Sequence, residues 1–226
     1  MGCILKQGGG LYSRLRLGAV LLAAGEGRRM GGVAKPLIRL QGVPLIRRHL
    51  IALSGAGVDE VVVVTGHAHA AVQNQVQEFP VTVIHNPAYR QGQQTSVRAG
   101  LAALNPALDA VLVVLVDQPL IGAQDLTELI AAYKKGGRRD SPQVLLPIVN
   151  GQRGNPIVLN QLALASILNS EANLACRHFV ESHPELVQLY KTDNTRFITD
   201  LDTLDDVQAL TRRMGWSIEL PEPLAP

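Results

Sequence analysis

Apolar residues in this chain cluster in short continuous runs more often than they alternate with polar ones. The runs are Ala19–Ala24, Glu60–Thr65 (EVVVVT), Val81–His85, Ala110–Val116 (AVLVVLV), Val144–Val149 and Pro156–Leu159. Continuous β-branched runs are expected of strands covered by helices on both faces, because neither face meets water. Between the runs the apolar spacing lengthens. Ile46, Leu50 and Leu53 stand at i, i+4 and i+7 within 43–56, and Leu126, Leu129, Ile130 and Tyr133 at i, i+3, i+4 and i+7 within 124–135. These spacings line one face of a helix. Helices are also expected over 68–76, 95–104, 162–169, 173–182 and 204–214. Strands that alternate with helices predict an α/β fold with a mainly parallel sheet. Open sheets of this kind bind ligands beyond the carboxyl ends of their strands. The loops after Ala24 and Val116 are therefore the places to look for chemistry.

Composition narrows the partners. At 226 residues and 46% hydrophobic content the chain suits one α/β domain, expected over 17–215, between a loose N-terminal tail (1–16) and a proline-rich C-terminal tail (216–226). A net charge of +2, with 4% aromatic residues, gives no basic run interleaved with aromatics, so no nucleic-acid partner is expected. The apolar run at Leu17–Ala24 is shorter than the roughly 20 residues that span a bilayer, so no membrane partner is expected either. Two cysteines, Cys3 and Cys176, suggest neither a disulfide framework nor a zinc site. A reducing compartment, the cytoplasm, is the expected location.

The first run breaks into Gly25-Glu-Gly27-Arg28-Arg29-Met-Gly31-Gly32-Val-Ala-Lys35. Glycines allow sharp turns that bring backbone N–H groups close to an anion, and arginine and lysine add positive charge for phosphate oxygens. A strand entering such a loop reads as a phosphate cradle. The alternative is an ordinary strand-to-helix turn with solvated arginines. Asp117 closes the run Ala110–Val116, where a carboxylate is costly to leave unpaired. Next to phosphates it would suit Mg²⁺, which favours carboxylate, water and phosphate oxygens; otherwise it starts a turn before Pro119. Asp200 and Asp202 alternate on an extended segment and face one side. A second carboxylate opposite Asp117 would complete a divalent-metal site. Thr203, Asp205 and Asp206 read as the start of the next helix. Ser96 would cap its helix or bond a nucleotide, and Arg153 would reach an anionic substrate or sit in a plain hairpin. His67 and His69 have no third ligand nearby in sequence and read as loop or helix-start residues.

Taken together these segments resemble the MobA-like nucleotidyltransferases, above all the molybdenum cofactor cytidylyltransferases. That family's pattern is LAAGxSxRMGxxxK, then GxxxSxxxGL, DQP, GxRGHP and DIDTPED. Here the corresponding segments are Leu22–Lys35, Gly92–Leu101, Asp117–Pro119, Gly151–Pro156 and Asp200–Asp206. The departures are Gly27 for serine, Asn155 for histidine, Leu204 for proline, and a GDxGAR element present only as Ala172-Asn173-Leu174-Ala175-Cys176-Arg177. The resemblance implies a Rossmann-like three-layer α/β/α sandwich. It also implies transfer of CMP from CTP to the terminal phosphate of molybdenum-molybdopterin, with Mg²⁺ as cofactor. The LAAG and DQP variants, through Ala24 and Gln118, imply CTP rather than GTP. Arg29, Lys35 and Asp117 are then the expected catalytic residues. Ala23, Ala24, Gly25, Gly27, Gly31 and Ser96 join them around the nucleotide. Asp117 and Asp202, with Asp200, would bind the metal. Gln118, Arg153, Gly154 and Asn155 would face the acceptor. A client molybdoenzyme or its chaperone is an implied partner.

Three rivals remain at the level of sequence. Gly25, Gly27 and Gly31 also fit a nicotinamide-binding loop, with Arg28 and Arg29 reading the 2′-phosphate of NADPH. The second strand ends Val64-Thr65-Gly66-His67, without the acidic residue expected for NAD. A non-catalytic nucleotide-binding partner, or a related transferase with GTP or another phosphorylated or polyol acceptor, completes the set.

Overall fold

The computed structural model describes residues 14–135, 142–170 and 176–222. In chain order the strands are β1 (Leu17–Ala23), β2 (Arg39–Leu40), β3 (Val43–Pro44), β4 (Glu60–Thr65), β5 (Thr82–His85), β6 (Ala110–Leu115), β7 (Val144–Val149), β8 (Gln152–Arg153), β9 (Ile157–Asn160), β10 (Val187–Lys191) and β11 (Ile218–Glu219). The α-helices are α1 (Leu45–Gly55), α2 (His69–Val76), α3 (Gln93–Ala103), α4 (Ala123–Lys135), α5 (Gln161–Asn169), α6 (Cys176–Ser182) and α7 (Leu204–Met214).

The main sheet runs β10-β7-β9-β6-β1-β4-β5, with β8 paired to β7. β1 is central, buried at every position, and parallel to both β4 and β6. β4–β5 and β10–β7 are also parallel, while β9 runs antiparallel between β6 and β7. The continuous apolar runs follow from this placement. Ala19, Leu21 and Ala23 face a core shared with α1, α2, α4 and α7. Val20 and Leu22 face a second core shared with α3, α5 and α6. Helices thus cover both faces, which makes a Rossmann-like three-layer sandwich with a mostly parallel sheet. Among the described residues no helix is long and apolar enough to cross a membrane.

Some expectations require correction. The segment 216–226 is not wholly a tail: Ile218 and Glu219 pair with Leu40 and Arg39, and β2 pairs in turn with β3, forming a small separate sheet. Val43 and Pro44 belong to that sheet, so α1 begins at Leu45 rather than at 43. At the other end, residues 1–13 of the expected N-terminal tail lie outside the described residues. Arg14 and Arg16 are tethered, through Asp59 and Asp109. The first three positions of the helix expected from Asn173 also lie outside the described residues, and α6 is described from Cys176. β10 was not expected. It is an edge strand with exposed Gln188, Leu189 and Lys191, and so carries no continuous apolar signal.

Candidate active site

The first loop folds on itself through Gly27. Its carbonyl accepts from Met30 N (2.8 Å) and Gly32 N (3.2 Å), and its φ of 63° lies in the left-handed region. A Cβ at this position would run into the Val33 carbonyl oxygen. A serine, as in the resembling family, does not fit a loop of this shape, so glycine is needed for the turn itself. Met30 is buried and anchors the loop. The turn Arg28–Met30 and the turn Lys35–Leu37 bring Arg29 and Lys35 back over the end of β1.

Opposite them, Asp117 follows β6, and Asp202 precedes α7. Two hydrogen bonds join these distant segments. Leu201 N donates to the Asp117 carbonyl at 2.8 Å, and Gln118 Nε2 donates to the Phe197 carbonyl at 2.9 Å. Thr203 and Asp206 form a reciprocal capping box that starts α7 and fixes the segment beyond Asp202. Beneath the site, the buried His49 ring donates from Nε2 to the Val116 carbonyl at 3.2 Å.

The result is one cluster of charge. Lys35 Nζ lies 2.9 Å from Asp117 Oδ2 and 2.6 Å from Asp202 Oδ1, and Arg29 Nη2 lies 2.8 Å from Asp202 Oδ2. Burial opposes the charged form of Lys35, but Asp117 and Asp202 outweigh it and hold its pKa above the ordinary lysine value. Burial likewise acts to raise Asp202, yet Lys35 and Arg29 keep its carboxyl below the usual range. Desolvation, then the charges of Asp117 and Asp202, push Asp200 up to about 6, although its side chain keeps contact with solvent at the cleft. The Lys35 charge also acts to lower it, but more weakly than the groups that raise it. The Asp117 Oδ1 atom is buried without a hydrogen-bond partner. An unpaired carboxylate oxygen beside a second carboxylate is the donor set a hard cation uses.

A family model described as MobA-like NTP transferase domain matches residues 19–187. The chain belongs to this family. It is 30% identical over 201 residues to a nicotine blue oxidoreductase of Paenarthrobacter nicotinovorans, across 84% of this chain and 94% of that protein. It is 37% identical over 153 residues to a bifunctional enzyme IspD/IspF of Clavibacter michiganensis, across 63% of this chain and only 36% of that longer protein. A nucleotidyl transferase from Methanothermobacter thermautotroptrophicus shares its fold at a TM-score of 0.70 and 22% identity, over 88% of this chain and 97% of the other. Fold and family are those of nucleotidyltransferases.

In this MobA-like chain the charged cluster lines a cleft of about 450 Å³ together with Ala24, Gly25, Gly27, Ser96 and Asp200. Ala23 and Gly31, expected at the nucleotide, do not line it: Ala23 is buried in β1, and Gly31 is exposed but not part of the cleft wall. Tyr89 and Gln93 line the cleft without having been singled out, and Arg28, named only for the NADPH reading, lines it too. Arg28 had a signal, its place in the basic loop, whereas Tyr89 and Gln93 are brought in by the turn before α3. Asn86 orders that turn, donating to Thr95 Oγ1 at 2.8 Å and Ser96 Oγ at 2.9 Å.

Arg153, Gly154 and Asn155 line a second cavity of about 350 Å³. Gln118 lines neither space. It is 1% exposed and acts as a buried strut to Phe197, which corrects its expected place at the acceptor. Gly154 lets its loop approach Phe197, whose carbonyl would lie 2.8 Å from any added Cβ. Asp117, Asp200 and Asp202 do not form a three-carboxylate cage, and no group of three or more His, Cys, Asp or Glu among the described residues is arranged to hold a metal. His69 opens α2, in keeping with its reading as a loop or helix-start residue; it bonds Thr65 Oγ1 at 2.7 Å and stacks on His85.

Proposed function

We propose that this protein transfers CMP from CTP to the terminal phosphate of molybdenum-molybdopterin in the cytoplasm. The observation that carries the reading is the meeting of Lys35 and Arg29 from the first loop with Asp117 and Asp202 from two distant segments. An acceptor phosphate oxygen attacks the α-phosphorus of CTP in line. The bond from that phosphorus to the β-phosphate bridging oxygen breaks, and pyrophosphate leaves. The nucleophile belongs to the substrate, so the protein's task is to position two anions and offset their repulsion.

Arg29 and Lys35 stabilise the β- and γ-phosphates as they become the leaving group. Arg28 adds a third cation at the same wall of the cleft. Backbone N–H groups around Gly25 and Gly27 orient the triphosphate, and Ala24 and Ser96 stand by the base and ribose. Asp117 and Asp202 would hold Mg²⁺, with Asp200 beside them, and the unpartnered Asp117 oxygen suits that role. The ion, when bound, supplies positive charge to the phosphate oxygens. Lys35 now spans both carboxylates and is placed to move from them to phosphate when substrate enters. A client molybdoenzyme or its chaperone would receive the product.

A second reading has one observation in its favour: a relative that aligns along most of this chain is named an oxidoreductase. On that reading Gly25, Gly27, Arg28 and Arg29 would take NADPH. Hydride transfer gives the Lys35–Asp117–Asp202 cluster no task, which favours the transferase. A nucleotide panel separates the two. Pyrophosphate release from CTP with Mg²⁺ and molybdenum-molybdopterin supports transfer. Thermal stabilisation by NADPH alone, without pyrophosphate release from any nucleotide, reverses the ranking.

A further inference from the structure

Beneath the charged cleft lies a histidine that the transfer chemistry does not use. The buried positions of α1 are Leu45, Ile46, His49, Leu50, Ala52 and Leu53, so His49 is the polar member of an apolar face. It is 2% exposed. Burial pulls its pKa down to about 4, so near neutral pH the ring is uncharged and carries one N–H. A carbonyl oxygen can only accept, which places that proton on Nε2, 3.2 Å from the Val116 oxygen. Nδ1 is then a bare lone pair, buried with no hydrogen-bond partner among the described residues. Leucine or phenylalanine would fill the same helix face and leave no lone pair unmet. Packing alone therefore gives no reason for a histidine here.

The bond that His49 does make falls next to the reacting groups. β6 ends at Leu115, and Val116 N donates to the Leu22 carbonyl at 3.2 Å before the chain leaves the sheet. The Val116 carbonyl belongs to the same planar peptide as the Asp117 nitrogen. The peptide on the other side of Asp117 is pinned as well, because its carbonyl accepts from Leu201 N at 2.8 Å. Asp117 thus hangs between two fixed peptide planes, one held by His49 and one by Leu201. Its Oδ2 meets Lys35 Nζ at 2.9 Å, and its Oδ1 is buried without a partner.

We infer that His49 is a positioning residue: by holding the Val116–Asp117 peptide it aims the Asp117 carboxylate at Lys35 and the cleft. Its consequence for turnover rests on the nucleotidyl-transfer reading above, whereas its consequence for the Lys35–Asp117 contact does not. Without the ring N–H the Val116 carbonyl loses its partner, and Asp117 turns with the freed peptide. The role needs a donor at the place of Nε2 and no proton transfer. A glutamine amide nitrogen reaches that place from the same Cβ, while an asparagine amide nitrogen stops near the place of Nδ1. His49 does not line the cleft, and no sequence motif singles it out.

The test pairs crystal structures of the full chain with steady-state pyrophosphate release from CTP, Mg²⁺ and molybdenum-molybdopterin. In His49→Leu the Asp117 carboxylate should lie beyond hydrogen-bond reach of Lys35 Nζ, and kcat should fall about 10- to 100-fold with KM for CTP unchanged. His49→Gln should restore the contact and most of kcat, and His49→Asn should restore neither. A histidine that only packs would instead lower the melting temperature and leave kcat per folded molecule intact in all three. An intact Lys35–Asp117 contact in His49→Leu, or equal losses of kcat in His49→Leu and His49→Gln, overturns the inference. If His49→Leu does not fold, His49→Asn, measured on protein with wild-type circular dichroism, decides: an open contact supports the inference and a retained one refutes it. An open contact in the variant, beside a wild type that releases no pyrophosphate from any nucleotide, supports the positioning role and contradicts the transferase reading. Turnover of CTP by wild type, with the contact intact in the variant, contradicts the positioning role alone.

Discussion

The two spaces at the carboxyl ends of the strands share Gln93 and Leu115 and otherwise differ in kind. The first cleft has Arg28, Arg29, Lys35, Asp117, Asp200 and Asp202 on its walls. The second is lined mostly by aliphatic side chains, with Arg153 and Arg177, both paired to Glu181, as its charged members. The first gathers opposite charges within hydrogen-bond reach, and the second offers mostly aliphatic surface. The difference also explains why one space was easier to read than the other. Glycines, arginines and aspartates at fixed offsets mark the cleft in the sequence. Val97, Leu146, Ile157 and Val180 look like any core residues until the fold shows that the space between them is empty.

The sharpest way to break this contrast is to remove a carboxylate from the cleft. Asp117→Ala should cut pyrophosphate release on the order of a thousandfold while leaving folding nearly intact, as read by circular dichroism. Normal turnover in that variant would mean the charged cluster is not the reaction centre. Lys35→Ala should cost about 2.7–4 kcal/mol of transition-state stabilisation, read as a 10²–10³-fold fall in kcat. A change in acceptor KM with kcat intact would instead move Lys35 to the acceptor side.

The support beneath the cleft carries a pH signature. His49 is buried, and desolvation pulls its pKa down to about 4 from 6.5. The unfolded chain therefore takes up a proton that the folded chain refuses. This stability is fully present above pH 6.5 and is lost as pH falls toward 4, by about 3 kcal/mol at the lower limit. Urea unfolding of wild type and His49→Phe across that range should show the difference shrinking in the substituted protein. Identical pH dependence would assign the acid sensitivity to other groups.

A smaller effect is expected at Gly27. Gly27→Ala forces a Cβ into the Val33 carbonyl at positive φ and should destabilise the loop by about 1–3 kcal/mol, weakening CTP binding. Gly31→Ala also sits at positive φ but meets open space, so only the conformational cost of about 1–2 kcal/mol remains. CTP titrations of the pair should rank Gly27 above Gly31, and the reverse order would remove Gly27 from its place at the turn. The mildest change is Arg153→Ala. Its ion pair with Glu181 is half-exposed, so stability should fall by less than about 1 kcal/mol, and acceptor KM should rise without change in CTP affinity.

The sequence carried much of the fold, and the reasons are specific. β1, β4, β6 and β7 are buried on both faces and announce themselves as unbroken apolar runs. α7 was legible to the residue, because Thr203 and Asp206 mark its start and Gly215 its end. β2, β3 and β11 were not, since two-residue strands have no periodicity to detect. At the site, Lys35, Asp117 and Asp202 were legible because their chemistry makes sense only together. Gln118 was misplaced because its sequence neighbour Asp117 faces the cleft, while its own amide turns inward to Phe197. Tyr89 reaches the cleft from a turn whose course is set by Asn86, a tertiary effect that local pattern does not record.

The most direct measurement is label transfer from CTP carrying radioactive phosphorus at the α-position, with Mg²⁺ and molybdenum-molybdopterin, followed by product separation. The account predicts label in a cytosine dinucleotide product, one pyrophosphate for each transfer, and loss of both in Asp117→Asn and Asp202→Asn. Intact CTP after incubation with wild-type protein, or label transfer that persists in both variants, would contradict it.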